Sequence, residues 1–363
     1  MNIKKIKKLT EVIYVLIMKE RGEMKKVTIQ DIAAEMGLSR NTVAKALNGG
    51  VVSPQTKQAV VHKAWQMGYT KLDEDLLAEV RTAYKKNKTG TILVLFHNWQ
   101  SAFWNKVLSG ISFAVNSEGY RMQMHMVDPH DVTGEGVLKL IVEDVKGIIF
   151  LSVFPIEFVR GVAKAGVPMT FFNSPVNAQE YIEIGDVINL EGFYSMNKII
   201  DYIIKKKNVK KPAYIGFAEG SRVVQARYLG YLNACNQNSI ELDSSLQFTR
   251  PSNRIGFSYS MIEEVINNMS YMPDAFVCED DDVAKNVALL LLQKNPNLAK
   301  NIVITGFNDI IETDFFRDDI ITVGVKMEQL GKRLVKSVID RINEPDMDIS
   351  FTTIATYPKY NDK

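Results

Sequence analysis

The sequence predicts a small all-α domain with a helix-turn-helix, followed by a larger α/β domain built on parallel sheets. The chain of 363 residues is too long for one ordinary hydrophobic core. Helix caps and glycines are closely spaced near the N-terminus, and from Thr91 onward short apolar runs alternate with amphipathic segments. We therefore expect a headpiece at residues 24–70, a helical linker at 71–90 and a main domain at 91–363.

The composition is typical of a globular protein, with 46% hydrophobic and 24% charged residues. The two cysteines, Cys235 and Cys278, stand far apart, which fits a reducing cytosol and argues against a disulfide framework or a zinc site. The four histidines show no ligand spacing, so we expect neither a metal nor a cofactor. No nucleophile–base pair or phosphate loop is recognisable, which argues against an enzyme. These features favour a cytoplasmic, non-enzymatic protein.

Residues 1–23 have two interpretations. The apolar run at 9–18 follows four lysines and superficially resembles a signal peptide. It contains Glu11, lacks a small-residue cleavage site and is too short to span a bilayer. The peptide KERGE at 19–23 is what a purine-rich ribosome-binding sequence encodes when it is read in frame. We therefore expect translation to start at Met24.

The headpiece sequence predicts three helices. Thr28 caps the first helix, which ends at Gly37. Ser39 caps the second helix, which ends at Asn48, and a third begins after Ser53. Two short helices joined by a glycine-containing turn form a helix-turn-helix, whose second helix fits the major groove of DNA.

The headpiece is basic, and its second helix begins with long polar side chains. Residues 24–72 contain seven Lys or Arg and two acids, which suits phosphate binding, although a solvated helical surface has the same signature. Arg40 and Lys45 suit guanine and Asn41 suits adenine, whereas hydroxyls and N–H groups at helix starts suit phosphates. A three-helix protein–protein module is the alternative. The predicted DNA-binding residues are Thr28, Ser39, Arg40, Asn41, Thr42, Lys45 and Asn48.

The main domain alternates strands with helices, which implies parallel sheets covered on both faces. Ligands bind such sheets beyond the carboxyl ends of the strands. Strands are expected at 91–96, 120–127, 147–153, 167–172, 213–217, 275–278 and 302–306, and helices at 104–118, 196–206 and 227–236.

Polar and aromatic side chains follow these strands. Asn98, Phe103 and Trp104 come after the first strand, and Asn308 comes after the strand at 302–306. An arginine facing a carboxylate over an aromatic floor can clamp hydroxyls, amides or a carboxylate. Two alternatives stay open. Phe103 and Trp104 are equally suited to the core, and the acids at 279–282 suit a metal or, as we favour, the cap of the next helix.

The segments VTIQDIAAEMGLSRNTVAKALNG and VSPQTKQAVVHKAWQMGY resemble the DNA-binding headpiece of the lactose-repressor (LacI/GalR) family. Residues 274–284 and 306–309 resemble two further segments of that family. The resemblance implies base-reading positions at Arg40, Asn41 and Lys45, and a ligand-binding pair at Arg227 and Asp281. The predicted ligand-binding residues are Asn98, Phe103, Trp104, Arg227, Asp281 and Asn308.

The resemblance also implies a periplasmic-binding-protein-like fold of two Rossmann-like subdomains with a cleft between them. We expect the subdomains at about 91–186 plus 307–324 and 187–306 plus 325–358. The implied function is ligand-responsive repression of carbohydrate or related metabolic genes. The implied partners are double-stranded operator DNA, a small-molecule effector such as a sugar and a second copy of the chain, with no membrane. A solute-binding protein without gene control is the alternative, and it leaves the headpiece unexplained.

The linker departs from the family. Members usually have a hinge helix here that inserts leucines into the minor groove of DNA. Leu76 and Leu77 lie on one side of the helix expected in this chain, but four acids accompany them and are ill placed beside phosphates. Insertion of either leucine into the minor groove is therefore an open question.

Overall fold

The computed structural model describes residues 27–67, 69, 71–72, 90–97, 101–128, 131–141, 144–252, 256–310 and 320–360. The expected extension at 1–23, most of the linker, and Asn98 lie outside these residues. The chain divides into two compact units, Met1–Lys88 and Thr89–Lys363, and each is described by itself. None of the described helices is both long and apolar enough to cross a membrane.

The headpiece contains three short helices, and this confirms the predicted helix-turn-helix. They are α1 (Ile29–Met36), α2 (Arg40–Leu47) and α3 (Pro54–Gln66). One apolar side of each helix faces a common core, because only the burial of such faces stabilises helices this short. The fully buried core residues are Ile32, Ala33, Val43, Ala46, Leu47, Val60, Val61 and Ala64.

The main domain contains two lobes, and each is a parallel sheet covered by helices. The sheet of the first lobe has six strands in the order β11-β5-β4-β3-β1-β2. Its strands are β1 (Thr91–Phe96), β2 (Arg121–Met126), β3 (Val145–Leu151), β4 (Met169–Phe172), β5 (Asp186–Leu190) and β11 (Phe351–Ile354). Its helices are α4 (Ala102–Ser117), α5 (Glu135–Leu138), α6 (Ile156–Ala163), α7 (Gln179–Ile182) and α13 (Met327–Asn343).

The second lobe has a four-stranded parallel sheet in the order β7-β6-β8-β9. A parallel bridge from Thr305 to Ile321 continues this sheet towards β10, which pairs antiparallel with β12. The strands are β6 (Pro212–Ile215), β7 (Gln247–Phe248), β8 (Ala275–Cys278), β9 (Val303–Thr305), β10 (Thr322–Gly324) and β12 (Tyr357–Lys359). The helices are α8 (Phe193–Lys206), α9 (Arg222–Gln237), α10 (Tyr259–Asn268), α11 (Asp281–Lys294) and α12 (Pro296–Asn301). The predicted α/β class with parallel sheets is confirmed.

The expected division of residues 307–358 between the lobes is wrong except at 357–358, which lie in β12 of the second lobe. Residues 307–324 were expected in the first lobe, but β10 extends the sheet of the second. Residues 325–358 were expected in the second lobe, but α13 packs on α4 and β3, and β11 pairs parallel with β5. The chain therefore crosses between the lobes three times, near residues 191, 325 and 355.

Close packing of α13 against α4 explains this correction. The apolar face of α13, which includes Leu330, Leu334 and Val338, joins the same buried cluster as Val107 of α4. A Cβ atom at Gly331 would lie 2.3 Å from the Val107 carbonyl oxygen, so glycine is needed for the backbones to approach this closely. Burial of such faces supplies most of the free energy that holds a helix in place.

A buried ion pair also ties α13 to the first lobe. The Arg341 guanidinium donates to both carboxylate oxygens of Asp186, over 2.8 and 3.2 Å, and the Ser350 N–H donates to the same carboxylate. Arg341 also donates to the carbonyl oxygens of Met347 and Asp348. The pair therefore links β5, the last turn of α13 and the segment that leads into β11.

We predict that Asp186→Ala destabilises the first lobe by about 3–5 kcal/mol, because it leaves the buried Arg341 guanidinium without a counter-charge. Urea unfolding followed by tryptophan fluorescence measures the change. The control is Lys336→Ala, which breaks the exposed pair with Asp340 on the same helix and should cost less than about 1 kcal/mol. Equal losses in the two variants would contradict the structural role of the buried pair.

Candidate functional site

The first two headpiece helices are held in place by side-chain caps. The Thr28 hydroxyl accepts from the Asp31 N–H and donates to the Asp31 carboxylate, which in turn accepts the Thr28 N–H. This reciprocal arrangement begins α1, and Gly37 ends it with a φ of 64°. Ser39 begins α2 by accepting the Thr42 N–H over 3.1 Å. The caps thus set the positions of the two helices on either side of the turn.

The second helix has one buried side and one exposed polar side. Val43 and Leu47 lie in the headpiece core, while Arg40, Asn41 and Lys45 are exposed on the outside. These three side chains can donate hydrogen bonds, and they project from a helix that is narrow enough to enter the major groove. Direct reading of base edges requires this arrangement.

The remaining predicted DNA-binding residues surround that exposed side. Asn48 is exposed immediately after α2, and Thr42 is half-buried in its first turn. The hydroxyls of Thr28 and Ser39 already act as helix caps, with the Ser39 and Thr42 hydroxyl oxygens 2.8 Å apart. Thr28 and Ser39 therefore contribute chiefly by setting the helix starts.

In the main domain, the candidate ligand site lies at the carboxyl ends of the second-lobe strands. Arg227 of α9 is only 5% exposed. Its two terminal nitrogens donate to the Glu279 carbonyl oxygen over 2.7 Å and to the Asn308 Oδ1 over 3.4 Å. The guanidinium carbon lies 3.7 Å from the centre of the Phe307 ring. The structure thus brings together two predicted residues, Arg227 and Asn308, and places Arg227 over the ring of Phe307, which the sequence analysis did not select.

Burial shapes the electrostatics of this arginine. Removal from water lowers the pKa of Arg227 from its ordinary value, and the nearby carboxyl groups of Asp280 and Glu279 act in the opposite direction. A guanidinium that is stripped of water and surrounded by acids binds hydrogen-bond acceptors strongly.

Asp281 is next to the site, but its carboxylate is turned into the protein. It is fully buried; Oδ1 accepts the Thr322 hydroxyl over 2.6 Å and Oδ2 accepts the Ile310 N–H over 2.9 Å. Burial raises the pKa of Asp281 to about 7. The carboxylate therefore holds the loop after β9 against the start of β10. The sequence alone contains no signal for the partners Thr322 and Ile310.

Glu279 belongs to the site and was not predicted there individually. It is 8% exposed, and its carboxylate Oε2 accepts the Phe217 N–H over 2.8 Å. Burial, and then the neighbouring Asp280, raise the pKa of Glu279 to about 8. The favoured role of the acidic run as a helix cap is confirmed at Asp280, which accepts the Val283 N–H over 2.9 Å at the start of α11. No group of three potential metal ligands occurs among the described residues.

Two of the predicted ligand-binding residues are aromatic side chains of the first lobe. Phe103 and Trp104 of α4 pack edge to face, with ring centres 5.0 Å apart, and both contact the Phe172 ring at the end of β4. Phe103 lies in the buried core cluster, and Trp104 packs on that cluster while staying partly exposed. Asn98, which precedes them in the chain, lies outside the described residues. Of the two aromatic residues, Trp104 has the accessible surface that ligand contact needs.

Two contacts join the lobes beside the site. The Arg222 N–H at the start of α9 donates to the Ser174 carbonyl oxygen of the first lobe over 2.9 Å. The Arg222 guanidinium lies 5.3 Å from the centre of the Phe351 ring in β11. The helix that carries Arg227 therefore touches both lobes.

Comparisons with known proteins agree with this organisation. The family profile for periplasmic binding protein-like domains matches residues 201–359. The chain is 23% identical over 324 residues to the HTH-type transcriptional regulator RegA of Clostridium saccharobutylicum, covering 88% of this chain and 94% of RegA. It is also 23% identical to the probable HTH-type transcriptional repressor ExuR of Bacillus subtilis (strain 168), covering 88% of this chain and 93% of ExuR.

Solved structures share the fold. A complex of the transcriptional regulator CelR with cellobiose matches with a TM-score of 0.65 and 17% identity, covering 92% of this chain and 98% of CelR. The lac repressor dimer bound to operator and an anti-inducer matches with a TM-score of 0.61 and 15% identity, with the same coverage of both chains.

We predict that Glu279→Gln changes how stability depends on pH. An acid whose pKa is higher in the folded than in the unfolded chain stabilises the fold below its unfolded pKa, and this contribution is lost as pH rises through the folded pKa. For Glu279 these values are 4.5 and about 8. The melting temperature of the wild type relative to Glu279→Gln should therefore fall as pH rises from 5 to about 8. A difference that is constant or grows over this range would contradict the buried, uncompensated carboxyl group.

Proposed function

We propose that this chain is a transcription regulator of the lactose-repressor (LacI/GalR) type and that it represses transcription under the control of a small-molecule effector. It acts in the cytoplasm as a symmetric dimer, with one headpiece on each half of an operator. The observation that carries the proposal is the exposed polar side of α2 in a chain whose main domain has two lobes around a buried arginine.

In the proposed complex with DNA, α2 enters the major groove. Arg40 and Lys45 donate to guanine, and Asn41 pairs with adenine. Thr42, Asn48 and the N–H groups at the start of α2 bind phosphates, and the capping of Thr28 and Ser39 keeps those N–H groups in position. A solute-binding protein without gene control would give this exposed helix no role.

In the proposed complex with effector, Arg227 and Asn308 of the second lobe donate hydrogen bonds to the effector. Trp104 of the first lobe covers the other side of the effector. Asp281 acts indirectly, because its two oxygens hold the loop that presents Asn308. The effector is a small polar metabolite, and the sugar complex of the related CelR fold is consistent with a hydroxylated one.

Effector binding changes DNA affinity by shifting the balance between two arrangements of the lobes. Thr322, which Asp281 binds, lies just before the second crossing between the lobes. Arg222, five residues before Arg227 in α9, contacts the first lobe directly. A ligand that prefers one arrangement of these contacts therefore changes the angle between the lobes and the spacing of two headpieces.

We predict that Arg40→Ala or Lys45→Ala weakens operator binding by about 1–3 kcal/mol and relaxes base preference at one position of each half-site. Fluorescence anisotropy with a selected genomic fragment and its single-base variants measures both effects. Lys300→Ala is the control, because it removes one exposed positive charge from α12. The assignment of α2 fails if the headpiece variants bind every fragment as the control does.

We also predict that Arg227→Ala abolishes the effect of the effector on operator binding and leaves effector-free operator binding intact, since Arg227 lies in the main domain. Asp281→Ala should do the same through loss of the loop contacts. Operator titration with and without a metabolite extract measures the response. Arg160→Ala, which removes an exposed arginine paired with Glu180, is the control. A normal response in both site variants would place effector binding elsewhere.

A further inference from the structure

Three acidic side chains lie together at the carboxyl end of β8 in the second lobe, near Arg227. Glu279, Asp280 and Asp281 follow β8 directly, and no salt bridge joins any of them to a Lys, Arg or His in the described part of the chain. The nearby Asp309, in contrast, is paired with Lys359. Arg227 acts on Glu279 electrostatically, but it bonds the carbonyl oxygen of Glu279 and not the carboxylate.

Arg227 is poorly arranged to bind an anionic ligand. Arginine clamps carboxylates and phosphates with two parallel N–H donors. Here each terminal nitrogen already has a protein acceptor, Glu279 or Asn308, and the ring of Phe307 covers one face of the guanidinium. An anion would also lie near the Asp280 carboxyl, which acts on Arg227 and has a pKa of about 6, so that it is mainly ionised at neutral pH. The site therefore disfavours phosphorylated or carboxylated effectors.

Several polar atoms near Glu279 have no hydrogen-bond partner among the described residues. No described residue donates to its Oε1, whereas Oε2 accepts the Phe217 N–H. The Arg227 Nε and the hydroxyl of the fully buried Tyr214 have no hydrogen-bond partner among the described residues. Gly216 lets the two side chains meet, since a Cβ there would lie 2.5 Å from the Glu279 Cβ and 2.9 Å from the Tyr214 hydroxyl. Buried polar groups are normally hydrogen-bonded, so these atoms offer a polar ligand hydrogen bonds that the described residues do not already take.

Resting on the function proposed above, we propose that the effector carries a protonated amine that donates to the Glu279 carboxylate, with an adjacent hydroxyl or carbonyl oxygen that accepts from the Arg227 Nε. The ligand class is therefore a small amino alcohol or amino sugar. A divalent cation fits less well, because Asp280 caps α11 and both oxygens of Asp281 bond within the protein.

The ionisation of the acids supports this assignment. Burial raises the pKa of Glu279 to about 8 and that of Asp280 to about 6. The charged and titratable groups that act on Glu279 are Asp280 just before α11, Arg227 on α9, Tyr214 on β6 and Cys278 at the end of β8. Near neutral pH, Glu279 without ligand therefore holds a proton. An ammonium group that binds there replaces the proton, which passes to the buffer.

The first experiment compares ligands of one shape and different charge. Sugars in matched amino, hydroxyl and carboxylate forms, such as glucosamine, glucose and glucuronate and the corresponding galactose set, are tested by thermal shift on the full chain, with magnesium and calcium alone as further samples. We expect amino forms to raise the melting temperature, because a ligand of the native state stabilises it. A larger shift with a hydroxyl form, a carboxylate form or a metal ion, or no shift with any amino form, overturns the proposal.

The second experiment tests Glu279 itself by calorimetry with the amine that gives the largest shift. We expect Glu279→Gln to bind it at least about 10-fold more weakly, which corresponds to about 1.4 kcal/mol. The wild type should release protons on binding, as judged from buffers of different ionisation enthalpy, and Glu279→Gln should release fewer. The control is Glu263→Gln, an exposed acid on α10. Equal affinity and equal proton release in wild type and Glu279→Gln overturn the role of Glu279.

An operator-binding assay distinguishes failure of the amine proposal from failure of the proposed function. Effector-free Glu279→Gln should bind the operator as the wild type does, and this also shows that the variant is folded. If the wild type binds a specific operator and a neutral or anionic metabolite releases it, the regulator assignment stands and the amine proposal fails. If the wild type binds no operator, the proposed function itself fails.

Discussion

The buried carboxylate of Asp281 holds together the part of the second lobe on which the proposed effector site is built. As the first residue of α11 it accepts the Thr322 hydroxyl and the Ile310 N–H, while its own N–H donates to the Phe307 carbonyl oxygen over 3.0 Å. The loop between these partners contains Asn308 and Asp309, with φ angles of 107° and 59°, which are costly for residues with side chains. The hydrogen bonds to Asp281 offset that cost and keep Phe307 and Asn308 against Arg227.

The same contacts connect the site to the crossings between the lobes. Thr322 begins β10, and the chain passes into α13 of the first lobe a few residues later. Arg222, in the helix that carries Arg227, bonds Ser174 across the cleft. The helix α13 is anchored in the first lobe by the buried pair of Arg341 and Asp186, so the chain that leaves β10 enters a firmly held helix. This arrangement suits a protein whose two lobes change their angle when a ligand binds.

The proposed effector site contains two neighbouring acidic residues. Glu279 and Asp280 directly follow β8 at the carboxyl end of the sheet. Glu279 is buried and Asp280 is partly buried, and both act on Arg227, which is already hydrogen-bonded to the protein. The structure brings two of the predicted ligand-binding residues, Arg227 and Asn308, within hydrogen-bonding distance. The family resemblance implies that Asp281 binds ligand, but both of its carboxylate oxygens bond within the protein, and the sequence grouped Glu279 with a capping loop. The error arises because capping depends on the next few residues, whereas access to the cleft depends on the packing of distant strands.

The sequence by itself determined the features that depend on near neighbours in the chain. These are the caps at Thr28 and Ser39, the helix-turn-helix, the polar outer side of α2 and the alternation of strands and helices, because local hydrogen bonds and hydrophobic periodicity specify them. Only the tertiary structure decided which lobe α13 and β11 join, and which way the carboxylates at the site point. Those outcomes depend on contacts between distant segments, such as Asp281 with Thr322 across 41 residues, and no local pattern encodes them.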